Sequence, residues 1–421
     1  MLNRRTPIPV SEAVHRVMDQ SVAGSKEAVS INESYGRFLA EDIIATNDVP
    51  HFNRSPYDGF AVRSIDTLNA SQKTPSRFEV IDTIGAGHVT EKQVDEFQTV
   101  RIMTGAKLPD ECDAVVMLEL AKTEEIDGKS YMTIKRPSKT GENVSYRGED
   151  AKAGDILIKK GTWINPGIQA LLATFGYSLV PVARKPIIGL FATGTELLEV
   201  GDDLQPGKIR NSNAAMISAQ IERAGGKVIY FGKLPDEFDI CYQAVHDAID
   251  KVDLLITTGG VSVGDFDYLP AIYEKLGAEV LFNKVGMRPG SVTTVATYNG
   301  MHLFGLSGNP SACYVGFELF ARPVIRKLLF SSRPHLRKEQ AVLGRDFTKP
   351  NPFTRFVRGK LSVDNGGLVG IPSGVDKSNI VTSLATTDCL IILHGGTRGY
   401  QKGDAIEVLL LEDQEGNEWP W

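Results

Sequence analysis
Between Pro186 and about Leu328, short apolar runs and amphipathic stretches alternate, and this alternation restricts the fold more tightly than any other feature of the chain. Residues 187–192, 228–231 and 254–257 are brief apolar runs rich in β-branched and aromatic side chains. In contrast, 213–224 and 238–250 repeat apolar side chains at helical spacing, with Tyr242, Val245, Ala248 and Ile249 on one stripe. Strands and helices taking turns at this interval predict a parallel sheet with helices packed on it. Two further strands, 292–296 and 302–306, lead to a helix marked by Asn309 at the cap and Pro310 at the first helical position.

The third strand of the series runs into Thr258-Gly259-Gly260-Val261-Ser262-Val263-Gly264-Asp265-Phe266-Asp267. Open α/β sheets bind ligands at the carboxyl ends of their strands. Glycines there let the backbone approach a phosphate with bare N–H groups, and Asp265 and Asp267 suit a hard cation that neutralises the same ligand. The first connection supplies Glu196, followed by Lys208, Arg210 and Asn211, and the second supplies Asp236. Three consecutive connections therefore each deliver a carboxylate to one edge, a donor set suited to magnesium held between carboxylates and substrate oxygens. The plainer reading makes Glu196 a first-turn acid complementing a helix dipole and Asp236 a capping residue. Downstream, Lys284 and Arg288 are candidate anion ligands or a solvated strand edge. The small-residue loop of Ser307, Gly308 and Asn309 enters a helix N-terminus suited to an oxyanion.

Outside this region the texture changes. Residues 11–20 read as a short amphipathic helix capped by Ser11, and 167–175 as a second helix. The two are expected to pack together as a small helical domain built from the separated segments 1–28 and 148–184. Between them, 29–147 alternates β-rich runs with Gly, Pro and Asp turns, which predicts an inserted β domain. The α/β domain is placed at 185–330, and a C-terminal β domain, a small sheet or barrel, at 331–421. The expected fold class is multidomain α/β plus β, with a three-layer α/β domain. Within the inserted domain, Asp58, Thr104 and Asp150 stand in turns that turn chemistry alone would explain.

A length of 421 residues suits roughly two to four domains. With 42% hydrophobic and 23% charged residues, the chain is of ordinary folded composition. A net charge of -6 argues against broad attraction to nucleic acid or to an anionic membrane, but leaves room for a local basic pocket. No apolar run approaches the ~18 residues of a membrane span, and a cytoplasmic location is expected. Cys112, Cys241, Cys313 and Cys389 lack CxxC spacing and read as buried thiols, and the dispersed histidines give no zinc motif.

Eight segments, in order, carry a resemblance: SPYDGFAV from Ser55, IMTGAKLPDECDAVVMLE from Ile102, GENVSYRGED from Gly141, TGTEL from Thr193, PGKIRNSN from Pro206, TTGGVSVGDFDY from Thr257, MRPGS from Met287 and GLSGNPSA from Gly305. Together they resemble the molybdopterin molybdenumtransferase (MoeA) family, which is similar to the gephyrin E domain and its plant counterpart. The resemblance implies a molybdopterin-binding α/β domain. It also implies an elongated homodimer in which the inserted β domain of one subunit approaches the α/β domain of the other.

The implied reaction takes adenylylated molybdopterin and molybdate, releases AMP and leaves molybdenum on the pterin dithiolene, with Mg²⁺ as the cation. Glu196, Asp236 and Asp267 match family positions associated with activity and are the expected metal ligands. Asp58, Thr104 and Asp150 match family positions that would complete the site across the dimer. Gly194, Thr195, Asn211, Ser212, Gly259, Gly260, Ser262 and Gly264 are assigned to substrate binding. Lys284, Arg288, Ser291, Ser307, Gly308 and Asn309 are assigned likewise, with molybdate near Arg288, Ser291 and Ser307. Many relatives of that family carry Lys where this chain has Ser291 and Pro where it has Ser307. The adenylyltransferase of the same pathway is a further expected partner. A free-standing adenylyltransferase would lack the flanking β domains, and a partner-binding scaffold of the gephyrin E type is the alternative function.

Overall fold
The computed structural model describes residues 6–260, 268–411 and 418–421, so Ser262, Gly264, Asp265 and Asp267 lie outside the described residues. The chain divides into two compact units. The first is Met1–Glu41 with Lys160–Ala170 and Ser178–Trp421, and the second is Asp42–Lys159 with Leu171–Tyr177. Residues 29–41 therefore cluster with the first unit, and 148–159 with the second.

Helix α1 (Val10–Asp19) starts at Val10, with Pro9 at the cap position and no side-chain cap bond. Ser11, expected as the cap, lies inside the first turn, because the Pro9 carbonyl already accepts the Ala13 N–H at 3.0 Å. Its buried stripe of Val10, Ala13, Val14 and Val17 joins the α/β core beside Phe282, Phe317 and Phe320. That corrects the expected pairing with the second helix, α2 (Pro166–Thr174): the apolar face of α1 is covered by the sheet domain. The segments expected as helical also carry strands, Lys26–Ser30 pairing antiparallel with Leu179–Ala183.

The α/β region contains β1 (Ile187–Thr193), helix α3 (Ser212–Ala224), β2 (Lys227–Leu234), α4 (Phe238–Ile249), β3 (Leu254–Thr258) and α5 (Leu269–Leu276). It continues with β4 (Glu279–Phe282), β5 (Met287–Arg288), β6 (Thr294–Tyr298), β7 (Met301–Leu306), α6 (Pro310–Gly316) and α7 (Arg322–Leu328). The sheet order is β2-β1-β3-β7-β6-β4. β2, β1, β3 and β7 run parallel, as expected, with Leu190 registered on Ile256 and Ile256 on Phe304.

The sheet is nevertheless mixed, because β6 is antiparallel to both β7 and β4. The cause is local: Asn299 and Gly300, both at positive φ, join β6 to β7 by a tight hairpin, which cannot make a parallel crossover. β6 starts at Thr294, later than expected, because Thr293 is held in a turn by its N–H and hydroxyl bonds to the Gly290 carbonyl.

Alternate side chains of the central strands feed two cores. Ile188, Leu190, Leu254, Ile256 and Phe304 pack with Ile217 and Ile221 of α3, while Phe191, Leu255 and Leu303 pack with Val245 of α4 and Ile272 of α5. A sheet buried on both faces explains why these strands read as continuous apolar runs.

After α7 come β8 (Lys338–Leu343), β9 (Thr354–Asp364), β10 (Gly367–Pro372), β11 (Cys389–Leu393) and β12 (Ala405–Leu410). Their pairing runs β9-β10-β8-β12-β11 and returns to β9, closing a barrel around Leu343, Val357, Ile391 and Val408. β5 leaves the α/β region to add itself, in parallel, to the start of β9.

The second unit holds a six-stranded sheet in the order Ala114–Met117, Gly59–Val62, Gln98–Ile102, Ser76–Ile84, Lys129–Ile134, Lys122–Ile126. Phe60, Phe78 and Met132 are buried on one side of it, and Ala61, Val100 and Ile102 on the other. All four cysteines are buried thiols. No helix among the described residues is long and apolar enough to cross a membrane.

Candidate active site
The carboxyl ends of β1, β3 and β7 meet in one knot. The Thr193 hydroxyl donates to the Thr258 carbonyl at 3.2 Å, and the Gly259 N–H donates to the Leu306 carbonyl at 2.9 Å. Gly259 sits at φ 89°, and a Cβ there would lie 2.5 Å from Thr193 Oγ1 and 2.9 Å from the Thr193 carbonyl oxygen. Its N–H is thus engaged within the sheet, which corrects the expectation that both glycines bare theirs. The next loop closes on this one: a Cβ on Gly308 would lie 3.6 Å from the Gly259 Cα, and Asn213 Nδ2 donates to the Gly308 carbonyl at 2.8 Å. Asn213 is buried, and its Oδ1 has no partner among the described residues. It was not singled out from sequence, although it closes the PGKIRNSN segment.

Glu196 does not open a helix. It lies in a turn leading to the short strand Leu197–Leu198, which pairs in parallel with Ile209–Arg210, and α3 begins only at Ser212. The helix-dipole explanation for Glu196 therefore falls away. Its carboxylate folds back over Gly194, where any Cβ would strike Oε2. Lys208 closes the same loop by donating from Nζ to the Thr195 carbonyl at 2.7 Å. Asn211 caps α3 by accepting the Ala214 N–H, and it donates to the Tyr230 hydroxyl at 3.0 Å, while Ser212 is exposed at the start of that helix.

Asp236 follows β2, the strand beside β1, and Tyr268 donates its hydroxyl to the Asp236 carbonyl at 3.3 Å. The side chains of Glu196 and Asp236 carry no hydrogen bond or ion pair among the described residues. Nor do the described residues contain a cluster of three potential metal ligands.

A second feature lies beyond β7. A pocket of about 280 Å³ is lined by Arg288, Ser291, Ser307 and Asn309 from the α/β region, and by Arg355, Asp376, Lys377 and Ser378 from the barrel. Four expected substrate ligands thus converge. Ser307 is buried and its hydroxyl accepts the Asn309 N–H at 3.2 Å, while Asn309 stands at the cap position of α6, as expected, but makes no side-chain cap bond and lines the pocket. The barrel loop is tied on by the Ser311 N–H to the Ser378 carbonyl at 3.0 Å and by the Ser311 hydroxyl to the Ile380 carbonyl at 2.6 Å.

Arg355 donates to Asp376 at 2.8 Å, and the buried Arg358 approaches the other Asp376 oxygen at 3.4 Å. Burial pulls the Arg358 guanidinium below its ordinary value, while Asp376 opposes that shift. Lys284 does not line this pocket, and its carbonyl instead accepts the Ile8 N–H at 3.2 Å.

In the second unit, Asp58 Oδ1 accepts both the Thr104 N–H, at 2.7 Å, and the Thr104 hydroxyl, at 2.8 Å. The backbone bond first and the hydroxyl second hold this exposed carboxyl below the usual carboxylate value. Asp150 is exposed, with its N–H bonded to the Val49 carbonyl at 3.0 Å.

Residues 8–176 match the MoeA N-terminal region (domain I and II), 189–327 a probable molybdopterin binding domain, and 340–411 the MoeA C-terminal region (domain IV). The chain is 61% identical to the molybdopterin molybdenumtransferase of Bacillus subtilis over 100% of its own length and 98% of that protein's. It is 50% identical to that of Staphylococcus epidermidis over 99% of each chain. Two crystal structures of the molybdopterin biosynthesis MoeA protein of Pyrococcus horikoshii match with TM-scores of 0.85 and 0.81 at 29% and 28% identity. They cover 96% of this chain and 99% and 100% of theirs.

Proposed function
This chain belongs to the molybdopterin molybdenumtransferase (MoeA) family of molybdenum cofactor biosynthesis, and on that premise we propose that it cleaves adenylylated molybdopterin, releases AMP and places molybdenum from molybdate on the pterin dithiolene. The observation that carries this reading is adjacency along one sheet edge: Thr193, where β1 gives way to the Glu196 turn, packs on Gly259, Gly259 packs on Gly308, and the flanking Ser307 and Asn309 line a pocket with Arg288, Arg355 and Lys377. Pyrophosphate cleavage and oxyanion capture need those two chemistries side by side.

Glu196 and Asp236 fit a hard cation. Neither carboxylate has a side-chain partner among the described residues, both follow neighbouring strands, and Mg²⁺ takes only one or two protein carboxylates alongside substrate oxygens and water. Asp267, the third expected ligand, lies outside the described residues. When bound, Mg²⁺ would draw charge from the pyrophosphate oxygens. Asn213 would offer its unpartnered Oδ1 to a donor on the pterin nucleotide. Arg288, Ser291 and Ser307 would hold molybdate by charge-assisted and hydroxyl hydrogen bonds. In a homodimer, the Asp58–Thr104 pair and Asp150 of one subunit would complete the site of the other. The substrate would be received from the adenylyltransferase of the pathway, in the cytoplasm.

The test is AMP release from adenylylated molybdopterin by the purified protein, with and without molybdate and Mg²⁺, scored beside cofactor formation. Release that requires both ions supports the insertase. Pterin binding without AMP release refutes it in favour of a binding scaffold.

A further inference from the structure
We infer that Glu318, buried where α6 passes into α7, is a positioning residue: it fixes the lengthwise setting of α3 on α6, and with it the meeting of Asn213 and Gly308 at the active-site edge. The inference rests on the insertase reading and deepens it.

Between α6 and α7 the helix widens. The Arg322 N–H donates to the Phe317 carbonyl five residues back, across the turn Phe317–Ala321. Pro323 follows and has no N–H to give the Leu319 carbonyl, so the regular ladder lapses there. Glu318 lies in this turn and is 1% exposed. Its Oε1 accepts Gln220 Nε2 at 2.6 Å and the Arg223 guanidinium at 2.5 Å, both from α3. The same two side chains reach Tyr314 one turn earlier, where Gln220 donates to the carbonyl at 3.3 Å and Arg223 to the hydroxyl at 3.2 Å. Seven residues before Gln220, about 10 Å along α3, Asn213 donates to the Gly308 carbonyl. That bond also orients the Asn213 amide, whose Oδ1 is unpartnered among the described residues. The α3–α6 pair is thus pinned twice, by Asn213 at the site and by Glu318 away from it.

Stability does not account for the buried set. Apolar side chains of similar volume often hold a fold as well as a buried ion pair or better, because desolvation offsets most of the attraction. Nor is the set fully paired. Gln220 Oε1 and Glu318 Oε2 are buried without a hydrogen-bond partner among the described residues, with Arg322 Nε 3.8 Å from the latter. The apolar contacts of Ile217 and Ile221 in the surrounding core are non-directional and tolerate small slides, whereas the polar set does not. A slide of α3 would carry Asn213 off Gly308, which packs on Gly259. Misplacing a site by about 1 Å can cost roughly a hundredfold in rate.

The test is a double-mutant cycle on AMP release, measured well below the thermal midpoint. Glu318→Gln is expected to lower kcat/KM about tenfold, carried by kcat. Glu222→Gln, exposed on the same helix, leaves it unchanged. Sites about 10 Å apart with no shared partner normally add in free energy. Because Glu318 acts through Asn213, Glu318→Gln should add little to the loss in Asn213→Ala, while their effects on the thermal midpoint still add. The reversed pair Gln220→Glu/Glu318→Gln rebuilds a donor–acceptor bond between the helices and is expected to recover activity, which keeps the test decisive where Glu318→Gln folds poorly. A readout without turnover is native-state hydrogen exchange at the Ala214 and Gly259 amides, expected to be faster in Glu318→Gln.

Losses that multiply in the cycle, wild-type kcat/KM in Glu318→Gln, no recovery in the reversed pair, or unchanged exchange at both amides would each overturn the assignment. Faster exchange at those amides in a protein whose wild-type chain never releases AMP would overturn the insertase reading alone.

Discussion

Substituting Gly259 by alanine tests whether the knot between β1, β3 and β7 is held by close backbone approach. The residue occupies φ 89°, and its new Cβ would lie 2.5 Å from Thr193 Oγ1 and 2.9 Å from the Thr193 carbonyl oxygen. The left-handed conformation costs an L-residue about 1–2 kcal/mol. Forcing a methyl into a packed site costs about 1–3 kcal/mol more, so the total lies at roughly 2–5 kcal/mol. The hydroxyl half of the clash is removable, since Thr193→Ala deletes Oγ1, whereas the carbonyl half is not.

Thr193→Ala/Gly259→Ala should therefore be less destabilised than the two single changes added together, by about 0.5–3 kcal/mol. A chain of several compact parts does not unfold in one step, so the readout is native-state hydrogen exchange at the amides of β1 and β3. Strict additivity, or a cost below about 1 kcal/mol for Gly259→Ala, would refute the close-approach argument.

Glu196→Gln should abolish metal-dependent AMP release with the oligomer intact, measured by nucleotide release and light scattering, and full activity would remove it from the mechanism. If Asp58 acts across subunits, inactive Asp58→Ala and Glu196→Ala chains should regain partial activity when mixed, and absence of any recovery counts against a shared site. Leu255, 2% exposed between β3 and helices α4 and α5, should cost about 2–5 kcal/mol as alanine, seen as a lowered thermal midpoint.

Burial and the nearby Arg322 lower His335 from 6.5 to about 4. The unfolded chain takes up that proton first as pH falls, so stability present above pH 6.5 is lost toward pH 4, by roughly 3 kcal/mol. His335→Phe should flatten the fall of thermal midpoint with pH in that window, and an unchanged slope would sink the assignment.

The parts of the fold legible in sequence are those where local pattern and tertiary burial agree. Strands β1 and β3 are apolar along their length because both sheet faces are covered, and their glycine exits mark the edge where the site lies. β4 escaped because Glu279-Val280-Leu281-Phe282 is short and carries no periodicity of its own. The antiparallel turn-back of β6 was written in Asn299-Gly300, a hairpin signal that the alternation upstream overshadowed. For α1, the spacing gave the buried stripe but not its partner, since periodicity states which face is covered and not what covers it.

The same distinction divides the site. Glu196, Asp236, Ser307 and Asn309 each stand beside the strand end that places them, so a reader of the chain meets position and chemistry together. Arg355 does not. It enters the pocket only because the barrel sends the start of β9 back to pair with β5, bringing a residue 67 positions further on into register with Arg288. The Asp58–Thr104 pair arises the same way, from residues 46 apart, in turns that look ordinary by themselves. Local sequence therefore identifies the carboxylate edge, which one βα series builds. Arg288 and Arg355 line one pocket only through a long-range strand addition that leaves no local mark, so their meeting belongs to the folded chain and to neither segment alone.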